Sequence, residues 1–175
     1  MTDNKYSYSN RKYEIVPYDP AWVRQFEELK EKIQTIFHNV QIEHIGSTSV
    51  PLMLGKPCID VLVIVEDLRE VKTHVTDMEA LGFEYAGEFV TEHSLLFRVM
   101  KDNTLLANIH FFPVDHPHNK EMLDVRNYLR AHPEEVKAYS ALKQELYTKY
   151  HDDYASYRKY KDEYVNKLQE RATIS

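Results

Sequence analysis

The sequence predicts an α+β fold: a mixed β-sheet with helices packed against it and a helical C-terminal region. Three observations carry that prediction. Ile59–Val65 is almost wholly apolar, as a central strand covered on both faces must be. Apolar residues recur at helical spacing ahead of the first strands, between the second and third strands, and through most of the chain after residue 120. Alternating runs bounded by turn residues fill the interval from 83 to 112.

Residues 1–12 are polar and predict a flexible N-terminal segment, with a single domain over 13–175. Residues 13–16 read as a short strand or extended lead-in. Asp19 as N-cap and Pro20 at the first helical position start a helix, and Trp22, Phe26, Leu29, Ile33 and Ile36 give it one apolar face ending near Phe37. Gln41–Ile45 is the first strand, with Ile42 and His44 on one face and Glu43 and Ile45 on the other. A turn over 46–51 follows, then the central strand Ile59–Val65. Leu68, Val71, Val75, Met78 and Leu81 predict one amphipathic helix closed by Gly82. Strands are expected over 83–89, 95–100 and 105–112, the last two joined by an Asp102-Asn103 hairpin turn. His116 and His118 fall in a loop over 113–119. Helices are expected over 122–130, from Pro133 onward, and over 153–172.

Composition excludes several classes. The chain is 43% hydrophobic and 29% charged over 175 residues, which is globular and not disordered. A net charge of -6 provides no general basic field, so general nucleic-acid binding is not expected; a local basic patch inside a cleft stays compatible. No apolar run approaches the ~20 residues of a membrane span, and the polar start lacks a secretory apolar stretch. The expectation is a cytoplasmic protein, and the single Cys58 reads as core packing in a reducing compartment.

The chemistry centres on the Gly46-Ser47-Thr48-Ser49 turn and Asp60. Gly46 permits a turn that side-chain-bearing residues resist, and the hydroxyls beside backbone N–H groups suit phosphate. Asp60 interrupts an otherwise buried strand, and a carboxylate there needs a partner or a metal. Lys56 precedes that strand and is a candidate phosphate contact, or else an exposed loop lysine. Arg98 lies inside an apolar strand and requires an acidic partner or a ligand phosphate. Arg126 and Arg130 share a helix face, either approaching a ligand or solvated. Tyr154, Tyr157 and Tyr164 read as a packing stripe ahead of a base-stacking platform, and would also suit a homodimer interface.

Val16-Pro17-Tyr18-Asp19-Pro20-Ala21-Trp22, Glu43-His44-Ile45-Gly46-Ser47-Thr48-Ser49-Val50-Pro51, Lys56-Pro57-Cys58-Ile59-Asp60 and Arg126-Asn127-Tyr128-Leu129-Arg130-Ala131-His132-Pro133 together resemble the GrpB family of the nucleotidyltransferase-like superfamily. The resemblance implies a Gly-Ser turn gripping a nucleotide's phosphates. It also implies two carboxylates one residue apart on the next strand, and a third from a later strand. Here Leu62 stands at the second carboxylate position, and Asn108 and His110 lie where the third is expected.

Three functions follow. The first is binding of a nucleotide or phosphorylated small molecule at Gly46, Ser47 and Lys56, with Thr48, Arg98, Arg126 and Arg130 as further contacts. On this reading Asp60 is catalytic and holds Mg²⁺ or Mn²⁺ for nucleotidyl transfer. The second is a non-catalytic domain that has lost the two-metal site. The third is a single-metal hydrolase using His44, Asp60 and His110, a ligand set that also suits Zn²⁺.

Overall fold

In the computed structural model the described residues are 12–88 and 91–174. The elements are α1 (Ala21–Gln34), β1 (Gln41–Ile45), β2 (Ile59–Val65), α2 (Leu68–Thr73), α3 (Val75–Ala80), β3 (Glu84–Gly87), β4 (Leu95–Lys101), β5 (Thr104–Pro113), α4 (Pro117–Ala131), α5 (Pro133–Tyr150) and α6 (Tyr154–Ile174). One sheet has the order β1-β2-β5-β4-β3. Only the β2–β5 pair is parallel; the other neighbours are antiparallel. Strand β2 therefore lies between two partners, and its apolar run has no solvated face because α1 covers one side of the sheet there and α4 the other.

Period-2 alternation divides the sheet into two faces. Ile59, Val61 and Val63 of β2, Ala107, Ile109 and Phe111 of β5, and Leu95 and Phe97 of β4 face one way. They form a core with Trp22, Phe26, Ile33 and Phe37, Val71 of α2 and Met78 of α3. On the opposite face, Ile45, Leu62 and Phe112 pack beneath Met122 and Leu123 of α4. Val50 and Met53, from the turn after β1, are buried with Leu129, Val136, Tyr139 and Leu168, one or more from each of α4, α5 and α6. The helical tail thus caps the far face of the sheet and takes the turn into its own core.

Local chemistry accounts for the departures from the sequence reading. Asp19 accepts from the Ala21 amide at 2.8 Å, so the helix starts at Ala21 with Pro20 as its cap, and it ends at Gln34. The single helix expected over 68–81 is two short ones. Thr73 Oγ1 donates back to the Glu70 carbonyl at 2.7 Å. His74 closes the first helix with a tight bond to Val71 O, then starts the second by accepting from Met78 N at 2.9 Å. The loop over 113–119 is shorter than expected, because His116 caps α4 through the His118 amide and Pro117 takes the first helical position. Asp102 and Asn103 both adopt positive φ, 50° and 62°, as the two-residue hairpin turn requires. Residues 13–16 contribute one bridge, Val16 to Gly55. The expected flexible segment over 1–12 lies, apart from Lys12, outside the described residues, as does Phe89 at the end of the third expected strand.

Candidate ligand cavity

A cavity of about 340 Å³ lies between the far face of the sheet and the helical tail. Its floor is Asp60 of β2, Asn108 and His110 of β5 and Arg98 of β4; Gly46, Ser47 and Lys56 close one side, and α4, α5 and α6 the other. Pairing sets the floor. Asp60 is opposite Asn108, Leu62 opposite His110, and Asn108 opposite Arg98. Residues paired across strands point to the same face, so these polar groups converge.

Asp60 Oδ1 accepts from Asn108 Nδ2 at 3.1 Å and lies 3.5 Å from His110 Nε2. Burial opposes its ionisation, but the adjacent His110, Lys56 and the Asn108 amide outweigh burial and hold the carboxyl below the usual range. Gly46 presses against the same carboxylate. Its φ of 71° and ψ of -173° are a conformation reserved to glycine, and a Cβ there would stand 2.7 Å from Asp60 Oδ2. On the other side of the turn, a Cβ on Gly55 would meet Ser47 Cβ at 2.8 Å. The two glycines let the turn sit between Asp60 and the strand-like bridge at Val16.

The helical tail stakes this turn in place. Arg130 donates from Nε and Nη2 to the Ser49 carbonyl at 2.9 and 2.7 Å. Arg126 Nη1 donates to Glu43 Oε2 at 2.6 Å and to the His44 carbonyl at 3.1 Å. From α5, Ser140 Oγ accepts from Leu54 N at 3.1 Å while Lys143 Nζ donates to Leu54 O at 2.8 Å. Lys143 is 1% exposed, hydrogen-bonds Ser47 Oγ, and lies 4.2 Å from the centre of the Tyr139 ring.

The cavity is strongly cationic. Six basic side chains line it, Lys56, Arg98, Arg126, Lys143, Arg158 and Lys161, against the single carboxylate of Asp60. Glu43, which pairs with Arg126, and Asp162, which pairs with Arg158 and Lys161, both lie outside the lining. Burial, then the nearby Lys161 and Lys56, pull the Lys143 ammonium well below the usual lysine range, with Asp60 opposing. Tyr139, Tyr154 and Tyr157 add aromatic wall. The latter two are also buried in a tyrosine cluster with Tyr13, so two residues of the packing stripe are cavity wall as well, while Tyr164 stacks on Tyr139 outside the lining.

The structure brings together Gly46, Ser47, Lys56, Asp60, Arg98, His110 and Arg126. It separates three candidates from them. His44 is paired with Val61 and so faces α1, where it stacks on Phe26 at 4.7 Å and hydrogen-bonds Thr48 Oγ1 at 2.9 Å. The proposed His44–Asp60–His110 metal set is therefore split across the sheet. Thr48 is buried by the same contact, and Arg130 is spent on the Ser49 carbonyl; neither lines the cavity. Arg126 and Arg130 are not a solvated face but a clamp. Lys143, Arg158 and Lys161 line the cavity without having been among the candidate site residues, although Lys161 lies beside the tyrosine stripe and Lys143 follows the GrpB-like tail motif. Lys143 carried a legible signal, since it falls on the Val136, Tyr139, Leu146 stripe of α5, where a lysine is out of place.

This sheet, with a Gly-Ser turn leading into an aspartate-bearing central strand, defines a nucleotidyltransferase-like fold. The crystal structure of the Cid1 poly(U) polymerase with MgGTP bound shares it at a TM-score of 0.54 and 13% identity, over 77% of this chain and 44% of that one. A family model described as GrpB protein matches residues 12–171, and the chain belongs to the GrpB family. The conserved protein GrpB from Enterococcus faecalis superposes with a TM-score of 0.85 at 35% identity, covering 91% of this chain and 96% of that one. The UPF0157 protein YqkA of Bacillus subtilis (strain 168) is 34% identical over 167 residues, 94% of this chain but 48% of YqkA. The chain thus spans about half the length of that relative.

Proposed function

We propose that this chain binds a nucleotide or a related phosphorylated small molecule in the cavity between the sheet and the helical tail. The observation that carries the reading is the concentration of five cationic side chains, Lys56, Arg98, Arg126, Arg158 and Lys161, around one carboxylate in a protein of net charge -6. Such a cavity focuses a positive field on any anion that enters, and Ser47 and the arginines supply directional donors to phosphate oxygens. The tyrosine walls suit the less polar remainder of the ligand.

A protein-held pair of metals does not fit these residues. The second carboxylate position is Leu62, fully buried beneath α4 with Ile45 and Phe112. Among the described residues no three His, Cys, Asp or Glu side chains are grouped to hold an ion. The donor set favours a divalent cation, Mg²⁺ or Mn²⁺, that arrives on the ligand's own phosphates and takes Asp60 as its one protein carboxylate. No described helix is long and apolar enough to cross a membrane.

Isothermal titration and thermal unfolding with each nucleoside triphosphate, with and without Mg²⁺, test the proposal. A ligand at 100 times its Kd adds about 2.7 kcal/mol of stability. The expected outcome is stabilisation that is lost in Lys56→Ala. Absence of binding by any triphosphate, diphosphate or monophosphate would remove the reading.

A further inference from the structure

Ser47 and Lys143 make an arrangement that phosphate binding alone does not require. Ser47 is half-buried and faces the cavity. Lys143 lies behind it, 1% exposed, with its Nζ hydrogen-bonded to Ser47 Oγ and donating to the Leu54 carbonyl at 2.8 Å. A neutral amine has two N–H donors and one lone pair. As an ammonium, Nζ donates to both Ser47 Oγ and Leu54 O; as the neutral amine, with one N–H kept on Leu54 O, it can turn its lone pair to the Ser47 hydroxyl and accept that proton. Gly55 packs on the rear of Ser47, and Ser140 with Lys143 grips both polar groups of Leu54, so the hydroxyl and amine are held by separate fixed elements.

Resting on the phosphate-binding reading, we propose that Ser47 is a nucleophile, Lys143 is its general base, and the pair attacks a phosphoryl group of a phosphomonoester bound in the cavity. Serine paired with lysine is a known variant of the nucleophile–base pair, and it needs no second carboxylate at Leu62. In the first step the Ser47 proton passes to Lys143 Nζ as the Oγ–P bond forms. The P–O bond to the leaving group breaks, and that oxygen keeps the electron pair and recovers the proton from Lys143. In the second step a water gives a proton to Lys143 and attacks phosphorus. The Oγ–P bond breaks, and Ser47 Oγ takes the proton back. The net reaction is hydrolysis of the ester to an alcohol and inorganic phosphate.

The electrostatics favour the amine form. The charged and titratable groups facing Lys143 are Asp60 from β2, Lys56 from the loop before it, Tyr139 from its own helix and Lys161 from α6. Burial acts most strongly and the two cations outweigh the one carboxylate, while the Tyr139 ring face acts the other way. The same lysines, with Arg98, lie where charge on the transferring phosphoryl oxygens would be met.

The test incubates wild type, Ser47→Ala, Lys143→Met and Lys143→Arg with p-nitrophenyl phosphate and with nucleoside monophosphates. Released phosphate is followed from pH 6 to 10, with mass spectrometry of the quenched protein. Lys143→Met keeps the volume without the base, Lys143→Arg keeps a donor to Leu54 O, and a cooperative melt selects the variants that are read; wild type and Ser47→Ala test the adduct independently of both. Wild type should release phosphate and carry one phosphoryl mass on the Ser47 peptide. Each Lys143 variant should lose at least about 100-fold in rate, and Lys143→Arg, which keeps the donor to Leu54 O, should hold its calorimetric affinity for the nucleoside monophosphate within about threefold. Ser47→Ala should lose the adduct entirely. Ligand binding by wild type with neither turnover nor adduct across that pH range would overturn the dyad and leave phosphate binding standing. No binding at all would instead remove the reading on which the dyad rests.

Discussion

His44 shows how one register position decides a residue's role. Paired with Val61, it sits against Phe26 with its imidazole on Thr48, and burial pushes its pKa down to about 4 from an unfolded value of 6.5. A depressed histidine pKa means that the unfolded chain binds the extra proton first. The contribution is therefore complete above pH 6.5 and is lost as pH falls toward 4, on the order of 3 kcal/mol across the window. Urea unfolding of wild type and His44→Gln from pH 7 to pH 4 should show the stability gap between them closing by that amount; parallel curves would show that the imidazole titrates normally. Gly46 is the complementary case, where the absence of a side chain matters. Gly46→Ala places a methyl 2.7 Å from Asp60 Oδ2 in a glycine-only conformation, and should cost about 1–3 kcal/mol together with nucleotide affinity. Leu62→Asp, which restores the superfamily's carboxylate spacing, should destabilise by about 3 kcal/mol or more without creating a metal site, because the new charge would lie under Met122 and Leu123. Thermal melts with and without Mn²⁺ check this, and a Mn²⁺-dependent rise in Tm would contradict it.

The turn after β1 is shaped by helices more than 70 residues away in sequence. Arg130 on Ser49 O and Ser140 with Lys143 on Leu54 replace the ladder bonds that an irregular segment lacks, and Arg126 on His44 O holds the end of β1 that leads into it. Arg130→Ala should therefore cost about 2 kcal/mol and weaken nucleotide binding although Arg130 lines no part of the cavity; calorimetry on the folded variant measures the second effect. Gly46, Ser47 and Asp60 were legible as a unit because their spacing on turn and strand is local. The arginine clamp was not, because helical spacing shows that Arg126 and Arg130 share a face and not what that face meets.

Charge is distributed unevenly over the molecule: the whole chain carries a net -6, yet six basic groups line one cavity. Ligand affinity should accordingly weaken about tenfold between low and high salt, since screening acts on the long-range field. A salt-independent Kd would mean that apolar contacts with the tyrosines carry the binding. The cavity exists only where four strands and three tail helices meet, so Arg98, Lys143 and Lys161 become neighbours of Asp60 through the fold and not through the sequence. Composition reported the overall negative charge and allowed a basic cleft, but it had no means of locating one.

The chain read alone was sufficient for the α+β class, the central strand, the hairpin at Asp102-Asn103 and the importance of the turn that leads to Asp60. Each of these is set by periodicity, turn chemistry or the cost of burying a charge, all properties of neighbouring residues. Whether His44 or His110 joins Asp60, whether Leu62 leaves room for a second carboxylate, and which lysine backs Ser47 depended on strand pairing and on the docking of the tail. Those are contacts between residues far apart in the chain. Their outcome follows from which apolar faces bury each other, and only the packed structure specifies that.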